Sequence, residues 1–227
     1  VVSLGEEMFR SGQPLWPKPV NAELGKETFD ISVGFTFVTA DASAKSHRLQ
    51  RACDRYSKLM DVQSNRQLNH LGDTVNIQEC RITVAKVLPS PEAEKLTLNL
   101  DVDEGYSINV RGDGFCEIKS ETVWGALHAL ETFTQLLTRE DGGVVTNHAP
   151  LRIEDKPRYS HRGVLIDSAR HFLPVDVIKS VIDTLPLSKF NVLHWHIVDA
   201  QSFPVDTPSA PEMPDAGASP ARRCGRK

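Results

Sequence analysis

The stretch HRGVLIDSARHFLPVDVIKSVIDTLPLSKFNVLHWHIV, residues 161–198, changes its hydrophobic rhythm twice within 38 residues. HRGVLID (161–167) is a short apolar run of strand character. Pro174 and Asp176 then open a stretch reaching toward Leu187. Proline suits a first helical turn because the donor it lacks has no partner there, and an aspartate suits the positive end of the helix. NVLHWHIV (191–198) is the next strand. Strand, crossover helix and strand form the unit from which parallel sheets and β/α barrels are built.

Such sheets and barrels place their ligand-binding groups at the carboxyl ends of the strands. At the first strand end, IDSARHF supplies Asp167, Arg170 and His171; beyond the second stands Asp199. An arginine near a carboxylate can be a plain salt bridge, or the two can hydrogen-bond sugar hydroxyls in both donor and acceptor sense. His194 and His196, two apart on a strand, share a face and could be two metal ligands. A third ligand is missing, because an ideal strand puts Asp199 on the opposite face. The two imidazoles therefore read as hydrogen-bonded groups inside a packed sheet, with Trp195 packing and no metal bound.

Ahead of this unit the pattern differs. FDISVGFTFV (29–38) alternates with period two and predicts a strand carrying Phe29, Ile31, Val33, Phe35 and Phe37 on one side. Residues 43–60 are free of Pro and Gly, and Leu49, Ala52, Cys53, Tyr56, Leu59 and Met60 form a helical stripe after a serine cap. Strands are expected at 80–88, 106–110 and 115–119, the last two joined by the turn RGDG. A second helix follows over 121–137, with Val123, Leu127, Leu130, Phe133 and Leu137 at helical spacing. Strands with helices laid against them predict an α+β domain over residues 1–150, followed by a connector and the strand–helix–strand unit within 151–210. Residues 211–227, rich in Pro, Ala and Arg, are expected to be disordered.

Composition narrows the classes further. The 227 residues include 26 basic and 30 acidic side chains, a formal net charge of -4, which gives nucleic acid or an anionic membrane no electrostatic hold. No run approaches the roughly 18 apolar residues of a membrane span, and VVSLGEEMFR shows no signal peptide pattern. Cys53, Cys80, Cys116 and Cys224 have no C-x-x-C spacing. Three precede residue 120, so a single disulfide there leaves one unpaired; Cys53 with Cys80 is taken as that pair, the other pairings staying open.

Residues 161–204 resemble the opening of the catalytic barrel of family 20 β-N-acetylhexosaminidases, particularly the plant and animal vacuolar or lysosomal type. LWPKP (15–19), DEGYSINV (103–110) and ETVWGALHALETFTQLL (121–137) resemble that family's N-terminal domain. The resemblance implies a zincin-like α+β accessory domain, then the first strand, helix and second strand of a (β/α)8 TIM barrel. It further implies a cofactor-free glycoside hydrolase acting on N-acetylhexosamine-terminated glycans, a vacuolar, lysosomal or secreted location, and a full-length enzyme that can be dimeric. Arg170 takes the position of the family's sugar-holding arginine, and Asp199 that of an aspartate supporting the catalytic constellation.

The family's catalytic residues themselves have no counterpart here. Its reaction needs an adjacent Asp-Glu pair, from a Gly-Gly-Asp-Glu type motif at the fourth barrel strand, to stabilise the substrate's acetamido group and to act as general acid and base. The sole adjacent Asp-Glu in this sequence is Asp103-Glu104, which matches a structural position of the accessory domain. Only 70 residues follow Pro157, against about 250 for a complete barrel. The expectation is therefore a hydrolase by family, truncated after its second barrel strand and inactive by itself. Two alternatives stand beside it: a non-catalytic carbohydrate-binding or interaction fragment, and a metal-binding protein using His194 and His196. Pro186, near the end of the helix, is expected to kink or end it.

Overall fold

The computed structural model describes residues 15–40, 46–60, 74–86, 99–140 and 143–217. The chain divides into two units after Ser160.

Among the described residues of the first unit six strands form one mixed sheet: β1 (Asn21–Thr39), β2 (Asn76–Val84), β3 (Tyr106–Val110), β4 (Cys116–Ser120), β5 (Leu137–Glu140) and β6 (Gly143–Asp155). Their order is β1-β2-β4-β3-β6-β5, and β1 also pairs with β6. The long β1 does this by using its first half against β6 and its second half against β2. Within the half that faces β2 the register slips between Ile31 and Thr36, and Gly34 adopts φ 82°, a conformation that costs a side chain dearly. The slip explains why Val33, expected inward, is 55% exposed while Phe29, Ile31 and Phe35 are buried.

The other strands send Ile77, Cys80, Ile82, Ile108, Val110, Cys116, Ile118, Leu151 and Ile153 into one core, with alternation broken in β2 between Ile77 and Cys80, opposite the slip in β1. Helices α1 (His47–Leu59) and α2 (Val123–Gln135) pack on the sheet and on each other. Ser46 caps α1 by accepting from the Leu49 amide at 3.2 Å; the earlier start expected at residue 43 lies outside the described residues. Leu49, Ala52, Cys53, Tyr56 and Met60 are buried as the stripe predicts, whereas Leu59 is exposed. Phe35, Phe37 and Phe133 meet as an aromatic cluster with ring centroids 5.1 to 6.1 Å apart.

The cysteine expectation is corrected. Cys80 and Cys116 are register partners on the adjacent strands β2 and β4 and form the disulfide, while Cys53 sits free and buried on α1. Leu137 belongs to β5 instead of the second helix, which stops at Gln135. Strand β6 runs through residue 150, where the sequence placed a domain end, and continues to Asp155.

The second unit contains β7 (Gly163–Asp167), α3 (Val175–Thr184) and β8 (Val192–His196), with β7 and β8 paired in parallel from Gly163 opposite Val192 to Asp167 opposite His196. Helix α3 gives way at Leu185 to a 3₁₀ turn, Leu185–Ser188, with Pro186 in its first positions, as the proline requires. Ile166, Ala169 and Ile178 are buried, but Leu165, Phe172, Val175 and Trp195 are exposed. A five-residue helix, α4 (Met213–Gly217), occupies part of the segment expected to be disordered; residues 218–227 lie outside the described residues.

The imidazoles also differ from expectation. His194 and Trp195 are exposed and His196 is half-buried, because β8 has a strand neighbour on one side among the described residues.

Candidate active-site strand ends

The parallel register of β7 and β8 brings their last residues, Asp167 and His196, side by side. The turn after β7 folds Arg170 back over Asp167. One carboxylate oxygen, Oδ1, accepts the Arg170 backbone N–H at 3.1 Å, and the other, Oδ2, accepts Arg170 Nε at 2.5 Å and pairs with the rest of the guanidinium. That backbone N–H first, and the guanidinium second, hold the Asp167 carboxyl below the usual carboxylate range. The arginine side chain is otherwise open, 67% exposed, so its outward edge is available to a ligand.

Asp199 lies past the end of β8. Its backbone N–H donates to Ser202 O at 2.9 Å and its Oδ1 accepts the Gln201 N–H at 2.9 Å, a local turn that fixes the carboxylate. His196 stands between the two acids, with Nδ1 3.7 Å from Asp167 Oδ2 and Nε2 3.9 Å from Asp199 Oδ2. The strand parity that set Asp199 opposite the histidines fails because the strand ends at His196 and the chain turns. Trp195 donates from Nε1 to Ser168 Oγ at 2.8 Å, tying β8 to the turn that carries Arg170.

Arg170 and Asp199, both singled out in the sequence, thus belong to one constellation with Asp167, which the sequence grouped with Arg170. His196 is the member that sequence reasoning assigned to packing. His171 is exposed on the same turn. Among the described residues, no group of three His, Cys, Asp or Glu side chains could hold a metal ion.

Asp103-Glu104 is committed to structure. Asp103 Oδ1 accepts the Gly105 N–H at 2.7 Å, and buried Glu104 lies 3.0 Å from His128 Nε2 of α2. An open cleft of about 600 Å³ in the first unit is lined by Asp103, Tyr106, Lys119, Glu121 and Glu154 among others. Its charges are spent on one another's neighbours, as in Lys119 with Glu117, Lys86 with Glu121 and Glu154 with Arg152. The strand ends, by contrast, keep an exposed guanidinium beside fixed carboxylates, groups that can hydrogen-bond hydroxyls in both donor and acceptor sense.

Two family models match the chain: "Glycosyl hydrolase family 20, catalytic domain" over residues 159–225 and "beta-acetyl hexosaminidase like" over residues 15–136. Similar proteins include beta-hexosaminidase 1 of Arabidopsis thaliana, 38% identical over 209 residues, a match covering 88% of this chain and 38% of that protein. The beta-hexosaminidase subunit beta of Felis catus is 37% identical, covering 92% and 39%. Among solved structures, the family 20 β-N-acetylhexosaminidase of Streptomyces coelicolor aligns with a TM-score of 0.63 at 26% identity, covering 90% of this chain and 39% of that one. The chitobiase of Flavobacterium johnsoniae aligns with a TM-score of 0.62 at 29% identity, covering 87% and 29%.

These matches define the class first: the chain is built as glycoside hydrolases of this kind are, with a sheet-rich N-terminal domain ahead of catalytic-domain sequence. It belongs to glycosyl hydrolase family 20, the β-hexosaminidases. The chain spans 38% and 39% of the length of the two curated relatives named above. Among the described residues no helix is long and apolar enough to cross a membrane.

Proposed function

We propose that this chain carries sugar-holding strand ends of a β-N-acetylhexosaminidase and that its 227 residues, taken alone, do not hydrolyse the substrate. In this reading residues 1–150 are a zincin-like accessory domain and 151–210 the first strand, helix and second strand of a (β/α)8 barrel. The observation that carries it is the juxtaposition of Asp167, Arg170 and Asp199 at the carboxyl ends of two parallel strands, where barrel enzymes bind their substrates.

Arg170 would hold ring hydroxyls of a terminal N-acetylhexosamine, with its guanidinium donating and Asp167 fixing its stem. Asp199 would support the acetamido-stabilising machinery. In the substrate-assisted retaining reaction the acetamido oxygen attacks the anomeric carbon while a carboxylic acid protonates the leaving oxygen. The sequence contains no Gly-Gly-Asp-Glu type motif, and Glu104 is occupied by His128. General acid–base help alone contributes about 10²- to 10⁴-fold, so its absence silences the reaction. N-acetylhexosamine-terminated glycans remain the ligand class, in a vacuolar, lysosomal or secreted setting, and a dimeric full-length enzyme is part of the same reading.

The test is Arg170→Ala placed in an enzyme with a complete barrel and residues 158–204 of this chain. Loss of a charged hydrogen bond to the sugar costs about 1.5 to 3 kcal/mol, so kcat/KM should fall by roughly 10- to 150-fold. An unchanged kcat/KM would reduce Arg170 to a structural partner of Asp167.

A further inference from the structure

We propose that His196 is a positioning residue whose protonation transfers Asp167 from Arg170 toward the imidazolium and draws Asp199 to the same ring. The ring stands 3.7 Å from Asp167 Oδ2 and 3.9 Å from Asp199 Oδ2, both beyond hydrogen-bond length. A neutral imidazole has one N–H and binds neither acid firmly, whereas an imidazolium has an N–H on each nitrogen and can serve both. Asp167 Oδ2 is also the atom that the Arg170 guanidinium engages, so two cations would then compete for one oxygen.

Charge balance favours the exchange. With a neutral ring, Asp167 and Asp199 place two negative charges against the single positive charge of Arg170; protonation evens the count. Among the described residues the charged groups within 4 Å of the ring are Asp167 at the end of β7 and Asp199 in the segment after β8, and Arg170 sits on Asp167. His194, two residues back on β8, is exposed. Asp167 stays ionised throughout, because Arg170 holds its carboxyl below the ordinary range. In acid, therefore, the guanidinium is loosened for a ligand while the carboxylate of Asp199 is anchored. Only this functional meaning rests on the reading of Arg170 and Asp199 as sugar-site residues; the electrostatic coupling does not.

The Arg170 Nε–Hε resonance of the ¹⁵N-labelled 227-residue chain reports the exchange as pH falls from about 8 to 5, the range in which imidazoles gain charge. We expect it to shift and to exchange faster with solvent in the wild type, to stay flat in His196→Gln, and to respond less in Asp199→Asn. No response in the wild type, or the same response in His196→Gln, overturns the proposal. Should His196→Gln lose the amide dispersion of β7 and β8, Asp199→Asn decides, because an undiminished response there overturns it equally. Adding N-acetylglucosamine at fixed pH probes the sugar reading separately: an intact pH response with no effect of the sugar leaves the coupling standing and removes the ligand.

Discussion

Tyr56 and Tyr106 drive their hydroxyls into the core of the first unit, where each meets a carboxylate. Tyr56 donates to Glu131 at 2.8 Å, and Tyr106 donates to Asp155 at 2.6 Å beside Thr132. Burial first, and the neighbouring carboxylate second, push both phenols well above their ordinary range. Their neutral form is the one the fold prefers, so their contribution is complete below about pH 10, the unfolded value, and is lost as pH rises above it. Urea titrations between pH 8 and pH 11 should show wild-type stability falling, and Tyr106→Phe, weaker by about 1.5 to 3 kcal/mol at pH 8, falling less over that interval. Equal slopes would contradict the assignment. Burial likewise pushes the Cys53 thiol up to about 12, so the native chain should leave Cys53 unlabelled by iodoacetamide at pH 8 and take up label only in denaturant. Non-reducing peptide maps should show Cys80 linked to Cys116. Arg170 and Asp199 were legible as residues because strand ends in such units carry function. His196 was not, since its neighbours follow from the parallel register of β7 and β8, which no local pattern encodes.

Helix α2 is buried almost all round, and its tightest point is Gly125, where a Cβ would meet Gly105 O at 2.2 Å. A backbone carbonyl has no rotamer with which to give way. Gly125→Ala should therefore destabilise the first unit by about 1 to 3 kcal/mol in urea. Gly112→Ala, where nothing lies within 4 Å, should stay within about 0.5 kcal/mol. Nearly equal midpoints for the two variants would place the helix elsewhere. Apolar spacing announced this helix but not the burial of Glu131, Thr132 and Thr134, whose polar groups are met inside the fold: Tyr56 and Gln135 bond Glu131, Tyr106 bonds Thr132, and Thr134 bonds its own turn. Strand β6 escaped for the opposite reason. Pro150 interrupts its alternation and argues against a paired strand, yet it sits at the register slip between Leu24 and Glu27 of β1, where a missing donor is tolerated.

At the scale of the whole molecule the two units carry different amounts of core. The sequence sets an α+β half ahead of a strand–helix–strand unit with the change at residue 150, and among the described residues the chain separates into two units after Ser160, because β6 carries the first unit on to Asp155. What the sequence could not convey is how little of the second half is covered. Beside the buried Ile166 and Ile178, it exposes Leu165 and Trp195 on its strands and Val177 and Ile182 on α3. Segments with few buried apolar contacts open at low free energy. Limited proteolysis should accordingly cut the second unit first and leave a resistant fragment ending near residues 155–160; equal protection through residue 203 would mean that the second unit is as firmly held as the first. The central claim, that the chain holds sugar-binding strand ends without an acid/base pair, is tested most directly by assaying the purified 227-residue polypeptide with a chromogenic N-acetylglucosaminide. The account predicts no release of chromophore above the buffer blank, and turnover that co-purifies with the chain and disappears in Asp199→Ala would contradict it.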